Sequence, residues 1–307
     1  MTEVLIAIPT YRRTKGLARL LEAIACLDTR AQVRVLVADN DADGREGMAL
    51  VQGLVAYRWP IEVILVAERG IAQARNALID HALAQSSSAF VAMLDDDEWP
   101  SSGWLDCFLR AARMTGADAL HGAVLPEFEV RPGAWVRHCQ GLMALRRRTG
   151  PVTMIHGTSN VLLRRTFLER VPMPCFDPSF ALTGGEDKDF FARLRRLGAR
   201  FAWADEAVVH AHVPASRSSV RWALQRAYRV GNSDMRVFLK YERGLLPRIR
   251  EAIKIAGVIV MAPVMALLYA PLPAWRLAPV CRLWRAAGKL AALFGAHYQE
   301  YAVVHGG

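Results

Sequence analysis

The feature with the clearest chemical meaning is a run of four acids, Asp95-Asp96-Asp97-Glu98, directly after an apolar run that ends at Leu94. Like charges this close repel one another unless something positive lies among them. A divalent cation would relieve the repulsion, because Mg²⁺ and Mn²⁺ prefer carboxylate oxygens and often share their coordination shell with substrate phosphates. Side chains alternate along a strand, so Asp95 and Asp97 point the same way and can serve one site. The alternative is a solvated acidic turn.

A second acidic pair, Glu186-Asp187, follows Gly184-Gly185. Glycines let the backbone come close to a ligand. Acids at the start of a helix are also favoured by its dipole, so ordinary capping explains part of the pattern. Beside a metal-binding turn, however, this pair becomes a candidate general base. Farther along, His210 and His212 lie on one side of a predicted strand, where they would either ligate a metal or serve only a structural role.

Short apolar runs and helical stretches alternate over the first hundred residues, which predicts a parallel sheet flanked by helices. The expected strands cover residues 4–8, 33–38, 54–57, 61–66 and 90–94, and the expected helices cover 17–27 and 71–84. Ligands of such sheets bind at the carboxyl ends of the strands. Thr10-Tyr11, Asp39 and Asp95–Asp97 all follow strands, so they are expected at that edge.

Residues 101–213 are less regular. The patterns there predict helices over 104–113 and 187–197, strands over 119–124, 156–163, 201–203 and 208–210, and a long connector over 126–153.

The positive charge of the chain is confined to its last third. The net charge is +10, with 39 basic and 29 acidic residues. Residues 1–213 hold 25 of each sign, whereas residues 214–307 hold 14 basic and 4 acidic side chains. Segregation of this kind indicates a local anionic partner, of which nucleic acid and acidic lipid are the two obvious candidates.

An uncharged stretch of 21 residues, 255–275, lies inside this basic region. It is long enough to cross a bilayer, which takes about 20 residues. Three prolines interrupt it, however, and both of its flanks are basic, whereas a simple span would carry more cations on its cytoplasmic side. The pattern therefore favours a re-entrant or interface-lying segment. A buried pair of core helices is the alternative.

The cysteines and the N-terminus indicate a cytosolic setting. Five cysteines are scattered along the chain and form no CxxC pair, so neither a disulfide framework nor a zinc cluster is expected. A reducing compartment is the simplest interpretation. Glu3 stands where the basic part of a signal peptide would be, and the apolar run that follows is short. We therefore expect the catalytic part to stay on the cytosolic side.

At this point the residues carry a resemblance. Five segments come in the order and spacing of family 2 glycosyltransferases with the GT-A fold, over roughly residues 3–213; they are Ile8–Arg12, Asp39, Ala74–Asn76, Asp95–Asp97 and Gly185–Asp187. The strings Val37–Ala42, Leu94–Glu98 and Gly184–Phe191 also resemble bacterial exopolysaccharide glucosyltransferases of the succinoglycan type.

The resemblance implies a fold, a division and a set of roles. The fold would be α/β, a Rossmann-like mixed sheet flanked by helices, with a basic, helical, membrane-associating C-terminal segment. Residues 1–213 would be catalytic, with a nucleotide-binding half over 1–100 and an acceptor half over 101–213, and residues 214–307 would associate with the membrane. Asp187, with Glu186 beside it, would be the base. Asp97 would bind the metal, and His210 would complete its shell, although which of the three aspartates ligates it stays open. The nucleotide sugar would be bound by Pro9, Thr10, Tyr11, Arg12, Asp39, Arg75, Asp95 and Asp96.

The activity implied is inverting, metal-dependent transfer of a hexose, expected to be glucose, from a UDP-sugar. Mn²⁺ or Mg²⁺ would be the cofactor. The acceptor would be a polyprenyl-diphosphate-linked glycan of surface polysaccharide synthesis, and the enzyme would lie at the cytoplasmic face of the cell membrane against anionic lipid, without binding nucleic acid. Two alternatives remain open from the residues: a sugar-phosphate nucleotidyltransferase and a basic module that binds nucleic acid.

Overall fold

The computed structural model describes residues 2–139, 142–181 and 183–296. The strands in this part of the chain are β1 (Glu3–Thr10), β2 (Gln32–Asp39), β3 (Ile61–Leu65), β4 (Phe90–Met93), β5 (Glu98–Pro100), β6 (Ala119–Phe128), β7 (Gly150–Val152), β8 (Val161–Arg164) and β9 (Phe201–Val213). The α-helices are α1 (Thr14–Ala25), α2 (Glu46–Gln52), α3 (Ile71–Gln85), α4 (Trp104–Thr115), α5 (Arg165–Leu168), α6 (Glu186–Arg196), α7 (Val220–Tyr241), α8 (Leu245–Tyr269) and α9 (Ala278–Leu293). Short 3₁₀ turns cover Ala134–His138, Pro178–Phe180 and Ala215–Ser218.

These strands form one mixed sheet in the order β3-β2-β1-β4-β8-β6-β9-β5, with β7 paired to β9. The first four strands of that order are parallel to one another, β8 is antiparallel to both its neighbours, and β6 and β9 are parallel. The predicted parallel sheet is therefore one half of a larger mixed sheet.

Helices cover both faces of the sheet. Ile6 and Ile8 of β1 pack in the same core as α1 and α4, whereas Leu5 and Ala7 pack in a second core with α3 and α6. A strand that is buried on both faces is apolar at every position, which explains the unbroken runs in the sequence. In α1 the buried residues recur at helical spacing, as Leu17, Leu20, Leu21 and Ile24.

Most of the predicted elements are confirmed, and four differ. The strand expected over 54–57 is wrong: this segment is irregular and follows the short helix α2, because Ala56 adopts a left-handed backbone with φ 53° that cannot continue a strand. The strand expected over 156–163 is shorter and begins at Val161. The two short strands expected at 201–203 and 208–210 are one long strand, β9, whose partner β6 shifts register between Gly122 and Val124.

The uncharged stretch does not form a buried helix pair. Residues 255–269 belong to α8, which continues through Pro263, and the prolines at 271 and 273 fall in the turn before α9. Among the described residues, α8 is the one helix whose length and composition would allow it to cross a membrane, and 11% of its most apolar window is buried. The alternative of a buried core pair is therefore wrong.

Helices α7 and α9 cross at very short range because two glycines meet the opposite backbone. A Cβ on Gly231 of α7 would overlap the carbonyl oxygen of Arg285, and a Cβ on Gly288 of α9 would overlap that of Tyr228. Helix backbones can approach this closely only where side chains are absent. The crossing thus fixes α9 against α7.

Replacement of Gly231 by alanine should separate the two helices. We expect Gly231→Ala to lower the free energy of unfolding by about 1–3 kcal/mol through overpacking, measured by urea denaturation. Gly257→Ala is the matched control, because a Cβ at Gly257 of α8 meets nothing within 4 Å. That variant should be neutral or raise stability by about 0.5–1 kcal/mol. Equal destabilisation by both changes would contradict the close crossing.

Candidate active site

The carboxyl ends of β1, β2 and β4 meet at one edge of the sheet. Thr10 is in register with Asp39 on the adjacent strand. The Thr10 hydroxyl donates to Oδ2 of Asp96 at 3.0 Å, so the acidic turn after β4 is tied to the end of β1. Pro9 and Thr10 are themselves buried, whereas Tyr11 and Arg12 begin the loop outside the sheet.

Guanidinium groups surround the acidic turn. Arg75 donates to Asp95 at 3.0 Å, and Nη1 of Arg13 donates to Asp96 at 3.1 Å. Asp97 accepts through Oδ2 from Arg13 at 3.2 Å and from Arg217 at 3.3 Å. Four adjacent acids repel one another unless a positive group lies among them. In this structure arginine side chains supply that positive charge. Arg13 and Arg217 were not among the predicted site residues.

Asp95 and Asp97 are the aspartates of this turn that are open to solvent. Their side chains are 34% and 27% exposed, whereas that of Asp96 is 7% exposed. The sequence had suggested a strand here, but the three aspartates lie in the turn between β4 and β5, and the first and third are the accessible ones. Burial raises the pKa of Asp96 to about 6, although Arg13 opposes the shift. A ligand at this edge therefore meets Asp95 and Asp97, and Asp96 lies behind them, bonded to Thr10.

Glu98 is a buried acid that sequence reasoning did not assign to the site. Its Oε2 accepts from the main-chain N–H of Asp95 at 3.2 Å, and its residue is 3% exposed. Burial, with Asp95 and Asp97 acting in the same direction, raises the pKa of Glu98 well above its ordinary value. The only signal in the sequence was that the acidic run has four members.

Arg75 joins the acidic turn to the second motif. It lies on α3, is 5% exposed, and donates to Oε1 of Glu186 at 2.5 Å as well as to Asp95. Glu186 begins α6 and is 2% exposed. Burial and the neighbouring Asp187 raise the pKa of Glu186 to about 7, and Arg75 opposes that shift. The acidic turn and the Glu186-Asp187 pair therefore share one cation, and Arg75 lies 111 residues before Glu186 in the chain.

Asp187 is half-buried and lies in the first turn of α6. Gly184 and Gly185 precede it with φ of 72° and 103°, values that glycine adopts without strain. Oδ1 of Asp187 accepts from the main-chain N–H of Lys188 at 2.7 Å. A Cβ placed on Gly157 would lie 3.9 Å from Oδ2 of Asp187, so the second carboxylate oxygen faces Gly157.

Two histidines, His121 and His156, lie close enough to Asp187 to interact with it electrostatically. Nε2 of His121 would lie 3.8 Å from the same Cβ on Gly157, and the His121 ring stacks on Trp203 with centroids 5.1 Å apart. Burial lowers the pKa of His121 to about 4 and also lowers the pKa of His156. Burial therefore favours the neutral form of both rings.

The loop after β1 forms an aromatic and cationic wall. The Tyr11 ring lies between the guanidinium groups of Arg12 and Arg69, at 5.1 and 4.9 Å from its centroid. Arg12 also pairs with Asp41 at 3.0 Å, and this contact lowers the pKa of the Asp41 carboxyl. A flat ring flanked by cations in this way suits a base and a phosphate chain.

Asp39 is fully buried beneath this wall. Its Oδ1 accepts from the main-chain N–H of Asp41 at 3.0 Å, and its Oδ2 accepts from that of Met48 at 2.8 Å. The predicted uracil contact therefore requires the segment between Asp41 and Met48 to move. Sequence reasoning identified the position of this carboxylate but not its burial.

His210 is separated from the acidic turn by its own contacts. Its Nδ1 lies 2.7 Å from Glu127, and its ring stacks on Trp99 with centroids 5.7 Å apart. The backbone of His212 contacts the turn directly, because its main-chain N–H donates to the carbonyl oxygen of Asp97 at 3.0 Å. Over the described ranges, no three His, Cys, Asp or Glu side chains are grouped to hold a metal.

The carboxylates of the acidic turn nevertheless fit a cation whose remaining ligands come from a bound substrate. Mg²⁺-type sites take one or two carboxylates from the protein and fill the remaining positions with phosphate oxygens and water. Asp95 and Asp97 present two solvent-accessible carboxylates on one side of the turn. A preformed cluster of three ligands is not required for that mode of binding.

Comparison with known proteins identifies the class. Residues 5–171 match the model of Glycosyl transferase family 2, and residues 90–298 match that of Glycosyl transferase family group 2. The chain belongs to glycosyltransferase family 2. It is 35% identical to succinoglycan biosynthesis protein ExoM of Rhizobium meliloti (strain 1021) over 244 residues, which are 78% of this chain and 76% of ExoM. Both the predicted family and its likeness to exopolysaccharide enzymes are confirmed.

One further sequence match and two similar solved structures accord with this family and its fold. Glycosyltransferase AglE of Haloferax volcanii is 27% identical and covers 77% of this chain and 74% of its own length. S. aureus TarS matches with a TM-score of 0.52 at 15% identity, over 95% of this chain and 55% of TarS. GalNAc-T7, solved with UDP, GalNAc and Mn²⁺, matches with a TM-score of 0.56 at 13% identity, over 78% of this chain and 48% of GalNAc-T7. The predicted GT-A fold is confirmed, and of the three functions considered from the sequence the comparisons support glycosyl transfer.

Removal of Arg75 should destabilise the protein strongly. Arg75→Met leaves the buried Glu186 without its cation, and we expect the free energy of unfolding to fall by about 3–5 kcal/mol, measured by urea denaturation. Addition of Glu186→Gln should restore part of the loss, because it removes the uncompensated charge. The control is Arg34→Met, which breaks the exposed pair of Arg34 with Glu62 and should cost about 0–1 kcal/mol. Similar losses in both variants would refute the bridging role.

Proposed function

We propose that this enzyme transfers a hexose, expected to be glucose, from a UDP-sugar to a lipid-linked oligosaccharide in exopolysaccharide synthesis. The observation that carries the proposal is the Arg75 bridge, which holds the acidic turn and the Glu186-Asp187 pair in one site. The name of the relative ExoM supports a role in exopolysaccharide synthesis. TarS has been solved with UDP and with UDP-GlcNAc, which supports a UDP-sugar as the donor.

Asp187 is our candidate for the general base. Its second oxygen faces Gly157, and in this proposal an acceptor hydroxyl beside it would lose its proton as it attacks the sugar. Attack from the face opposite the leaving diphosphate inverts the anomeric carbon, and no covalent glycosyl intermediate is required. In this proposal Glu186, predicted as a partner in catalysis, positions Asp187 through its bond with Arg75.

The diphosphate would lie at the acidic turn. Asp97, with Asp95 beside it, would hold a divalent cation, Mn²⁺ or Mg²⁺; His210 would join this set only if it leaves Glu127. When bound, such an ion neutralises the charge that develops on the departing diphosphate. Arg13 and Arg217 contact Asp97 already, so they would bind the same phosphates. Tyr11 and its flanking arginines would border the base.

We also propose the division of the chain and its place in the cell. Residues 1–213 would form the catalytic domain at the cytoplasmic face of the membrane, and residues 214–307 would bind an anionic lipid surface. Residues 297–307 of that region lie outside the described residues. Support comes from α8, whose side chains Leu267 and Leu268 are 78% and 62% exposed. Exposed apolar area of this extent beside cations suits an anionic bilayer.

Asp187 and Asp97 can be tested by single substitutions to asparagine. We expect Asp187→Asn to lower kcat by about 10²–10⁴-fold, since proton abstraction is lost, with UDP binding unchanged by calorimetry. Asp97→Asn should also lower sugar transfer and should weaken the dependence of UDP binding on Mn²⁺. Asp80→Asn, on the exposed side of α3, is the control and should retain activity. Wild-type sugar transfer in both Asp187→Asn and Asp97→Asn would end this assignment.

The membrane face can be tested by vesicle flotation. The double change Leu267→Glu and Leu268→Glu places charges on the exposed side of α8, and each lost leucine removes about 1.5–3 kcal/mol of burial in lipid. We expect the wild-type protein to float with phosphatidylglycerol vesicles and the variant to stay in the unbound fraction. Met114→Glu alters an equally exposed apolar residue, 72% exposed on α4, and should float normally. Flotation of the α8 variant at the wild-type level would contradict the proposed face.

A further inference from the structure

Two cysteines that are far apart in the chain meet between the connector after β6 and helix α9. Cys139 follows the 3₁₀ turn Ala134–His138, and Cys281 lies in the first turn of α9. Their Sγ atoms are 3.4 Å apart, and 142 residues separate them in the sequence. The S–S bond of a disulfide is about 2.0 Å long, so the two sulfurs need to approach by a further 1.4 Å or about that to form one.

Other contacts hold the turn and the helix together around this pair. The His138 ring stacks on that of Trp275, just before α9, with centroids 3.5 Å apart. Leu277 and Cys281 pack against a small apolar cluster that contains Cys139 together with Trp135, Val136, Leu142 and Ala223. Both segments are therefore held in place beside the pair, which brings the same two sulfurs together.

A small oxidant can reach the pair through a cavity. The cavity has a volume of about 300 Å³, and both cysteines line it. Lys254 also lines it and is 73% exposed, so the cavity opens to solvent. Cys281 is half-buried, whereas Cys139 is buried. Cys281 is thus the more accessible of the two sulfurs.

The two thiols differ in acidity because one of them donates a hydrogen bond to the other. The bond from Cys139 lowers the pKa of the Cys281 thiol, although burial opposes this shift. The same bond, together with burial, raises the pKa of Cys139. Since the thiolate is the form of cysteine that oxidants attack, Cys281 is the sulfur expected to react first.

We propose that Cys139 and Cys281 form a redox modification site, at which hydrogen peroxide converts the two thiols into an intramolecular disulfide. The site lies outside the acidic turn and does not depend on the proposed function. It is also compatible with the reducing compartment expected from the sequence, where the pair rests as thiols. Disulfides that form in such compartments are usually transient and redox-sensing.

The reaction has two steps. The Cys281 thiolate attacks one peroxide oxygen, an S–O bond forms as the O–O bond breaks, and the hydroxide that leaves takes a proton from solvent to become water. The product at Cys281 is a sulfenic acid. Cys139 then attacks the sulfenic sulfur, the S–S bond forms as the S–O bond breaks, and the proton of Cys139 leaves with the hydroxyl group as a second water. The two sulfurs lose two electrons in all, and these reduce the peroxide.

Oxidation of the full chain by hydrogen peroxide tests the site, with peptide mass spectrometry under non-reducing conditions as the readout. We expect a cross-linked pair of tryptic peptides that contains Cys139 and Cys281 and that disappears on addition of dithiothreitol. Cys281→Ala should abolish the cross-link, and Cys139→Ala should leave Cys281 as a sulfenic acid that dimedone labels. Cys107→Ala is the matched control, because Cys107 is half-buried like Cys281, and it should keep the cross-link.

Cys139→Ser separates the hydrogen bond from the cross-link, because a hydroxyl group can donate to the Cys281 thiolate but cannot form a disulfide. We expect dimedone to label Cys281 about 2–10-fold faster in Cys139→Ser than in Cys139→Ala, which is the range that one hydrogen bond supplies. Equal rates in the two variants would contradict the activation of Cys281 by Cys139.

Three results with the wild-type protein would overturn the proposal, and none of them depends on the folding of a variant. One is peroxide treatment that oxidises the exposed Cys26 and leaves Cys139 and Cys281 as free thiols. Another is a disulfide that joins other cysteines or two copies of the chain. The third is sulfinic acid at Cys281 without the cross-link, because Cys139 would then fail to reach the sulfenic sulfur.

Discussion

The buried guanidinium of Arg75 holds the active site together. Removing a cation and two carboxylates from water is costly, and the cost is offset only when the groups bond well to one another. Arg75 meets Asp95 and Glu186 from a position on α3 that is 5% exposed. Because each carboxylate begins a different segment, the bridge fixes the start of α6 relative to the end of β4. The distance between the proposed base and the diphosphate site depends on this one side chain.

The electrostatics of the acidic turn extend the same principle. Asp97 accepts from Arg13, at the start of α1, and from Arg217, in the short turn after β9. A diphosphate arriving here would give both arginines a second anionic partner and would bring with it the oxygens that a cation needs. Arg217 lies beyond the proposed domain boundary at residue 213. The region after residue 213 therefore contributes a side chain to the acidic turn that we propose as the donor site.

Local patterns in the sequence predicted what depends on neighbouring residues, and they missed what depends on distant ones. Apolar runs identified the buried strands, and the polar residues that end them were correctly expected at one edge of the sheet. The irregular segment at 54–57 was missed because its backbone conformation at Ala56, not its composition, prevents a strand. The pairing of His210 with Glu127 and that of Arg217 with Asp97 join segments far apart in the chain. The spacing of residues within one segment does not predict such contacts between distant segments.

The close crossing of α7 and α9 gives the C-terminal helices a mechanical connection to the chemistry. Gly231 and Gly288 let the two backbones touch, so a shift of α9 moves α7 with it. The next residues of α7, Ser233 and Asp234, contact Gly184 and Lys188 on either side of Asp187. The packing of α9 against α7 is thus continuous with the contacts that hold the Gly184–Lys188 turn. If the proposed membrane face and the proposed base are correct, these contacts join the two.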